Sequence, residues 1–267
     1  MTRAFGSEDV FALESHSSLH GRAIERLSRH PAPEAVLFDL DGTLVDSVAD
    51  IHAAVNALLA ELGQPTRSVE EVRQWVGNGA RMLVERALAG SLHGFHGMSD
   101  ARECHEMADR AMPRFRSIYH EICVDHTVPL AGAHAALACA HGMGLGVAIV
   151  TNKPLAPTER IVDALGWRPF VRAIVGGDSL PVRKPDPAPL FTALRMLGRP
   201  EAAAWMVGDS ANDVGAAKAA RIPSIVVRGG YNHGEPVETL DPAPDVILDD
   251  LTPFPALLAA TRGFSGT

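Results

Sequence analysis

The sequence predicts an α/β fold: a doubly wound parallel sheet that is interrupted, after its first strand, by an all-helical insertion. Two observations support this prediction. From about residue 129 onward, short apolar runs alternate with segments of helical periodicity, an order typical of parallel sheets with helices on both faces. Before that point the only strand-like run lies at residues 35–40, and helical patterns fill the segment between. The first strand is therefore expected to pair with strands far along the chain.

Composition and charge exclude several classes of protein. The chain has 267 residues, 46% of them hydrophobic, enough for one large domain or for a core and a smaller domain. A net charge of −8 argues against binding to nucleic acid or anionic membranes, which needs a basic face. No apolar run approaches the roughly 18 residues that cross a bilayer, and three scattered cysteines indicate neither disulfides nor a zinc site. We expect a soluble, cytoplasmic protein, either a monomer or a homodimer.

Residues 1–33 are expected to be an N-terminal extension. They mix Ser, His, Arg and Glu and end in the linker-like "HPAPEA". Three interpretations stay open: a frayed, disordered arm, a weak helix around "GRAIERLSRH", or residues upstream of the true start codon. A transit peptide is not indicated, because such peptides are poor in acidic residues.

Residues 48–128 are predicted to form a helical cap domain, which leaves residues 34–47 and 129–267 for the core. Apolar residues in "SVADIHAAVNALLAEL" recur at helical spacing, and Ser47 and Asp50 match a capping box at its start. No strand is indicated before about Val128. Further helical patterns occur at "VEEVRQWV", "ARMLVERALAG" and "DARECHEMADRAMPRFRSIYHEI".

The predicted core strands end in four polar clusters. The strands are "AVLFDL", "GVAIVT", "RAIVGG", "AAWMVGD", "PSIVVR" and "DVILDD". Ligands of such sheets bind outside the carboxyl ends of the strands, so these ends are expected to surround one crevice. The clusters are "DLDGT", "IVTNK", "RKPDPAP" and "MVGDSANDVGAAKAA".

The first two clusters offer carboxylates, a hydroxyl and amide donors. Asp39 ends the first strand, and Asp41 can project to the same side because side-chain direction has period two. Gly42 permits a sharp turn and a close approach of backbone amides to an anion. Thr151 and Asn152 follow the second core strand, where Asn152 is either a binding residue or only a turn residue.

The last two clusters add a cation and two further carboxylates. Lys184 precedes Asp186, which is predicted to cap a helix that begins at Pro187. Asp209 lies at a strand tip and Asp213 near the start of the next helix. Each aspartate taken alone could be a turn or cap residue, but the ordered set favours a site.

Four aspartates around one crevice would repel one another and take up protons unless a cation lay among them. Magnesium suits such a site, because it prefers oxygen ligands and binds phosphate oxygens. Two carboxylates then allow a division of roles, in which one attacks phosphorus and the other transfers protons. Lys153 is interpreted as a residue that contacts the site's ligands from outside or is solvated, and His93 and His96 as loop residues rather than metal ligands.

The four clusters, in this order and with a helical insertion after the first, resemble the haloacid dehalogenase superfamily over about residues 35–248. The resemblance implies a Rossmann-like phosphatase core with a cap. It also implies that Asp39 is a nucleophile forming an aspartyl-phosphate, that Asp41 is the general acid and base, and that Lys184 steadies nucleophile and phosphate. Thr151 and Asn152 would bind the phosphate.

The same resemblance implies a magnesium site. Asp209 would be a ligand together with Asp39 and the backbone carbonyl of Asp41, while Asp213 would support the metal or its waters. The presence of Asp41 argues against carbon–halogen cleavage, because dehalogenating relatives lack this residue. Phosphonate cleavage is disfavoured, because the cap contains no lysine. A sugar-phosphate mutase and a non-catalytic phosphate-sensing module remain as alternatives.

Three segments resemble phosphoglycolate phosphatases more specifically: "DLDGTLVDSVADI", "WVGNGARMLVERAL" and "GGYNHGEP". The resemblance implies a small phosphorylated metabolite as substrate, with 2-phosphoglycolate first and a phosphorylated sugar or sugar acid second. A small carboxylate would need donors from the cap lid. The backbone of Asn78 and Gly79 or the guanidinium of Arg81 could supply them, unless Arg81 is simply solvated.

Overall fold

The computed structural model describes residues 21–96 and 101–263. Its core is a six-stranded sheet in the order β5-β4-β1-β6-β7-β8, and every neighbouring pair is parallel. This confirms the predicted α/β fold class and the pairing of the first strand with distant ones. The strands are β1 (Ala35–Phe38), β4 (Gly146–Val150), β5 (Ala173–Val175), β6 (Ala204–Gly208), β7 (Ser224–Val227) and β8 (Val246–Leu248).

Helices cover both faces of this sheet. Along β1, Val36 and Phe38 pack on one face, whereas Ala35 and Leu37 pack on the other, as the period of a strand requires. The first face is covered by a helix at residues 21–27 (α1) and by α6 (Ala133–Gly142), α7 (Leu155–Ala164) and α10 (Phe254–Gly263). The second face is covered by α8 (Ala188–Leu197) and α9 (Ala211–Ala220). A short 3-10 helix spans Val237–Thr239.

The insertion after β1 builds a second hydrophobic cluster of its own. Buried apolar residues from all four of its helices pack together. A two-residue antiparallel pair, β2 (Val45–Asp46) with β3 (Val128–Pro129), joins the two ends of the insertion. β2 precedes the segment predicted to be helical, and β3 begins at Val128, where that segment was predicted to end. The helices are α2 (Val48–Glu61), α3 (Val69–Trp75), α4 (Ala80–Ala89) and α5 (Ala101–Ile122).

The N-terminal extension is described from residue 21, and the prediction for residues 1–20 lies outside the described residues. Helix α1 coincides with the segment for which a weak helix was one interpretation. Leu27 is buried in the core cluster, and Arg26 Nη1 donates to the Asp245 carbonyl oxygen. Among the described helices, none is both long enough and apolar enough to cross a bilayer.

The capping box predicted at Ser47 and Asp50 was wrong. The Ser47 hydroxyl donates instead to Asp41 Oδ1 at 2.6 Å. The Asp50 carboxylate, 1% exposed, accepts from the backbone amides of His126 and Thr127, each at 2.9 Å. Both side chains therefore bind partners outside α2, and Asp50 fixes the start of α2 to the chain that leaves α5.

Helix α8 begins one residue later than predicted, at Ala188 rather than Pro187. Asp186 Oδ1 nevertheless accepts from the Ala188 amide at 2.8 Å. Asp186 therefore binds the first amide of α8 from the turn that precedes the helix.

Asp50→Ala is expected to destabilise the protein by about 3 kcal/mol, because it leaves the buried donors around Asp50 without an acceptor. Urea unfolding followed by circular dichroism measures this loss. Asp125→Ala, an exposed aspartate three residues from β3, is the matched control and should change stability by less than about 0.5 kcal/mol. Equal effects of the two substitutions would contradict the structural role given to Asp50.

Candidate active site

The first strand delivers two carboxylates to the carboxyl edge of the sheet. Asp39 follows β1 directly, and its amide donates to the Val207 carbonyl oxygen at 2.8 Å. The chain then turns sharply at Gly42, where φ is +82° and a Cβ atom would lie 2.5 Å from Asp209 Oδ2. The Gly42 amide donates to Val45 within the turn. Gly42 is therefore required for the turn and for space, and the close approach of backbone amides to an anion stays a prediction.

Lys184 is the cation at the centre of the core clusters. Its Nζ atom lies 2.6 Å from Asp213 Oδ1 and 3.1 Å from Asp39 Oδ1, and the residue is 2% exposed. Burial disfavours its charge, but the carboxylates of Asp213 and Asp39 outweigh this and raise the pKa of Lys184. The ammonium is therefore held charged between two carboxylates.

Three carboxylates converge beside this lysine. Oxygen atoms of Asp39, Asp209 and Asp213 lie within 4.8 Å of one another. Burial raises the pKa of Asp39 to about 6, the Asp213 charge adds to this, and Lys184 opposes it. Burial, together with the charges of Asp213 and Asp39, also raises the pKa of Asp209 well above its usual value. The single positive charge of Lys184 does not compensate the three carboxylates.

The donor set fits a hard divalent cation. Oδ1 of Asp39 is buried and has no hydrogen-bond partner among the described residues, although Lys184 is its ion-pair partner. Asp209 is oriented by the Thr43 hydroxyl at 2.7 Å and by the Tyr231 amide at 2.6 Å. Carboxylate oxygens of this kind are what magnesium prefers. The positions of Asp39 and Asp209 therefore suit metal ligands.

Asp213 is more heavily engaged than a free ligand would be. One oxygen binds Lys184, and the other accepts from the Ser210 amide at 3.1 Å, the Ser210 hydroxyl at 2.8 Å and the Asp209 amide at 3.2 Å. It completes a capping box at the start of α9. Asp213 therefore caps the N-terminus of α9, as one interpretation of the sequence predicted, and can at the same time support the site.

Lys153 binds Asp41 and is not solvated. Its Nζ atom lies 2.9 and 3.0 Å from the two carboxylate oxygens of Asp41 and 4.6 Å from the centre of the Tyr119 ring. The Lys153 side chain is 3% exposed. Sequence reasoning underestimated this residue. The signal available was that all three lysines of the chain fall within the polar clusters, and that Lys153 directly follows Thr151 and Asn152 at a strand end.

The two polar residues of the second cluster, Thr151 and Asn152, have different partners: Thr151 contacts the site, whereas Asn152 contacts the cap. The Thr151 side chain is buried, and its hydroxyl helps to lower the pKa of Asp39 against the effect of burial. Asn152 Nδ2 donates instead to the carbonyl oxygens of Gly77, at 2.9 Å, and Lys184, at 3.0 Å. The donors of Asn152 thus join cap to core rather than pointing at an anion.

A cavity of about 370 Å³ lies between the core clusters and the cap. Its walls include Asp39, Asp41, Thr151, Lys153 and Asp209 from the core, and Gly77, Gly79, Leu83, Phe115, Arg116 and Tyr119 from the cap. The carbonyl oxygen of Gly77 accepts from Asn152 and, at 3.3 Å, from Asn212. These contacts hold the segment before α4 against the core.

Of the three cap residues expected to contact substrate, only Gly79 lines the cavity. Arg81 is bound to Glu85 and, at 2.9 Å, to Asp109, because its face of α4 packs beside acidic residues of the cap. The side chain of Asn78 accepts from Arg86 at 2.9 Å. Neither Asn78, whose backbone was the predicted donor, nor Arg81 is among the residues that line the cavity.

Tyr231 connects the carboxylate cluster to the cap. Its amide binds Asp209, while its hydroxyl accepts from the backbone amides of Ser47, at 3.0 Å, and Val48, at 3.1 Å. Its ring packs in the cap cluster. The "GGYNHGEP" motif contains this residue, but the partners of its hydroxyl lie more than 180 positions away in the chain.

The match of sequence to family agrees with this geometry. Residues 33–221 match the family model of a haloacid dehalogenase-like hydrolase. The chain belongs to the haloacid dehalogenase-like hydrolase family. A relative named phosphoglycolate phosphatase, from Pseudomonas syringae pv. tomato, is 43% identical over 227 residues, which cover 85% of this chain and 80% of the relative. Another of that name, from Pseudomonas savastanoi pv. phaseolicola, is 44% identical over 230 residues, 85% of this chain and 80% of the relative.

Solved structures of this hydrolase family share the fold. A predicted phosphoglycolate phosphatase from Haemophilus somnus superimposes with a TM-score of 0.73 at 30% identity, covering 84% of this chain and 96% of that one. CbbY from Rhodobacter sphaeroides, in complex with phosphate, gives a TM-score of 0.62 at 28% identity, covering 82% and 95%. Together with the family match, these likenesses identify the chain as a phosphoric monoester hydrolase.

The raised pKa of Asp39 makes the stability of the metal-free hydrolase depend on pH. A carboxyl group whose pKa rises from 3.8 to about 6 on folding opposes folding once it is ionised, so stability is lost as pH rises through this range. The stability of Asp39→Asn relative to the unsubstituted protein should be about 2 kcal/mol greater at pH 7.5 than at pH 4.5. Urea unfolding of both proteins in EDTA measures this difference in the free energy of unfolding. A difference that is the same at both pH values would contradict the raised pKa of Asp39.

Proposed function

We propose that this hydrolase is a magnesium-dependent phosphatase that converts 2-phosphoglycolate to glycolate and phosphate through an aspartyl-phosphate intermediate. The observation that carries the proposal is the position of Asp39, which lines the cavity 3.1 Å from Lys184 Nζ and within 4.8 Å of an Asp209 oxygen, with Asp41 two residues on. The printed names of relatives at 43% and 44% identity support the choice of substrate.

In the first step a carboxylate oxygen of Asp39 attacks the phosphorus of the ester. The bond from phosphorus to the leaving oxygen breaks, and protonated Asp41 donates its proton to that oxygen. In the second step Asp41, now a base, takes a proton from water. The water oxygen attacks the phosphorus, the acyl-phosphate bond breaks, and Asp39 is regenerated together with free phosphate.

Positive charge must offset the approach of an anionic nucleophile to an anionic phosphate. Lys184 supplies one charge, 3.1 Å from Asp39. Asp39, Asp209 and the backbone carbonyl of Asp41 would hold a magnesium ion, with Asp213 supporting that set. When bound, the ion would neutralise charge on the transferring phosphoryl group.

The cap leaves room for a small phosphate ester and favours a dry reaction. The cavity measures about 370 Å³, and Arg183 Nη1 donates to the Asn78 carbonyl oxygen at 3.1 Å. Together with the contacts to Gly77, this keeps the segment before α4 closed over the core, which would exclude bulk water from the phosphorylated intermediate.

We further propose that the enzyme works in the cytoplasm without nucleic-acid or membrane partners. A net charge of −8 supports this, since it gives anionic polymers and surfaces no general attraction.

The function is tested by measuring phosphate release from 2-phosphoglycolate beside phosphorylated sugars, phosphorylated sugar acids and nucleotides, with magnesium or with EDTA. We expect the highest kcat/KM on 2-phosphoglycolate, activity only with magnesium, and a loss of about 10⁴-fold or more in Asp39→Asn, which lacks the nucleophile. Asp125→Asn, on the surface, should retain full activity.

Other outcomes point elsewhere. Metal-dependent turnover concentrated on a sugar phosphate would keep the chemistry and overturn the substrate. Isomerised sugar phosphate without phosphate release would indicate a mutase. Ligand binding without turnover of any ester would leave the non-catalytic sensing module.

A further inference from the structure

The Lys153 ammonium is buried against a carboxylate that the reaction needs for another purpose. The side chain is 3% exposed and contacts both oxygens of Asp41. A buried lysine requires an anionic partner, because the charge is costly to leave without one. Asp41 has a second donor, the Ser47 hydroxyl at 2.6 Å, so it would remain held if Lys153 turned to another anion.

Lys153 also lies where the leaving group of the ester must pass. Under the proposed function, Asp41 protonates the leaving oxygen, which therefore comes within hydrogen-bond distance of Asp41. The Lys153 Nζ atom is itself 2.9 Å from Asp41. A charged group one carbon beyond the leaving oxygen would consequently meet Lys153, whereas a longer leaving group would extend past it.

The Tyr119 hydroxyl is a second hydrogen-bond donor close to Lys153. Tyr119 lines the cavity, and its ring centre lies 4.6 Å from Lys153 Nζ. Its hydroxyl is buried and has no hydrogen-bond partner among the described residues. Burial raises the pKa of Tyr119 well above its usual value, so the hydroxyl keeps its proton and can donate.

The other cations near the cavity are less suitable. Lys184 is engaged by Asp39 and Asp213 and serves the phosphoryl group. Arg116 lines the cavity from α5 but is exposed, so its interaction with an anion would be weakened by solvent.

We propose that Lys153, assisted by the Tyr119 hydroxyl, binds a carboxylate on the leaving group one carbon from the ester oxygen, and that this contact selects such esters over uncharged ones. The inference rests on the proposed function and deepens it. Without substrate, the Asp41 carboxylate occupies the place of the substrate carboxylate. Lys153 is thus a specificity-determining residue as well as a partner of Asp41.

The test compares kcat/KM for 2-phosphoglycolate with kcat/KM for ethyl phosphate, which has the same carbon chain length but no carboxylate. In Lys153→Met both values should fall, because Asp41 loses a partner. The value for 2-phosphoglycolate should fall further, so that the ratio of kcat/KM for 2-phosphoglycolate to that for ethyl phosphate decreases by about 30-fold or more. In Tyr119→Phe, which keeps the ring, the ratio should fall by about fivefold to tenfold. Arg110→Gln, exposed on the same helix and outside the cavity, should leave the ratio unchanged.

The outcomes separate this inference from the function on which it rests. If the unsubstituted enzyme hydrolyses both esters equally, the proposed substrate fails and the carboxylate site with it. If it prefers 2-phosphoglycolate but Lys153→Met and Tyr119→Phe lower both rates in proportion, the function stands and Lys153 only positions Asp41. If Arg116→Gln collapses the ratio while Lys153→Met does not, the carboxylate belongs to Arg116 and the inference is overturned.

Discussion

The ion pairs of Lys184 with Asp213 and Asp39 are the interaction on which the rest of the site depends. Three carboxylates within 4.8 Å of one another at the edge of a buried sheet would resist ionisation without nearby positive charge. Lys184 supplies part of it, 2.6 and 3.1 Å from its two partners. The remaining deficit is seen in the raised pKa values of Asp39 and Asp209. The same deficit makes the cluster suited to a divalent metal ion, whose charge would in turn allow an anionic phosphate ester to approach.

Several single residues contact both the cap and the carboxylates of the core. Tyr231 binds Asp209 through its amide and the start of α2 through its hydroxyl, and Asn152 joins the loop after β4 to the segment before α4. Lys153 binds Asp41 while lying against a tyrosine of α5. Movement of the cap would therefore disturb contacts to the carboxylates, so closure over substrate and assembly of the site are physically linked.

Sequence reasoning succeeded where the signal is local and failed where it is not. The six core strands follow from apolar runs, and Asp39 and Asp209 from their places at strand ends, since topology brings parallel strand ends together. The role of Asp50 was misread, because its partners lie 76 and 77 positions away. Arg81 was one candidate donor to the substrate, with a solvated side chain as the alternative, but neighbouring carboxylates of the cap bind it. No pattern along the chain reveals which face of α4 turns to the cavity, or that Lys153 meets Asp41 across 112 positions.

The central claim, that these carboxylates form a divalent cation site, is tested most directly by titrating magnesium into the metal-free protein in a calorimeter, in buffers of different ionisation enthalpy. Because the pKa of Asp39 is raised to about 6, binding at pH 6 should release about half a proton from Asp39 per ion, and this contribution should disappear by pH 8. Asp209, whose pKa is also raised, should add to the release at pH 6. Asp209→Asn should weaken binding strongly. Binding unchanged by Asp209→Asn, or no binding at either pH, would contradict the account.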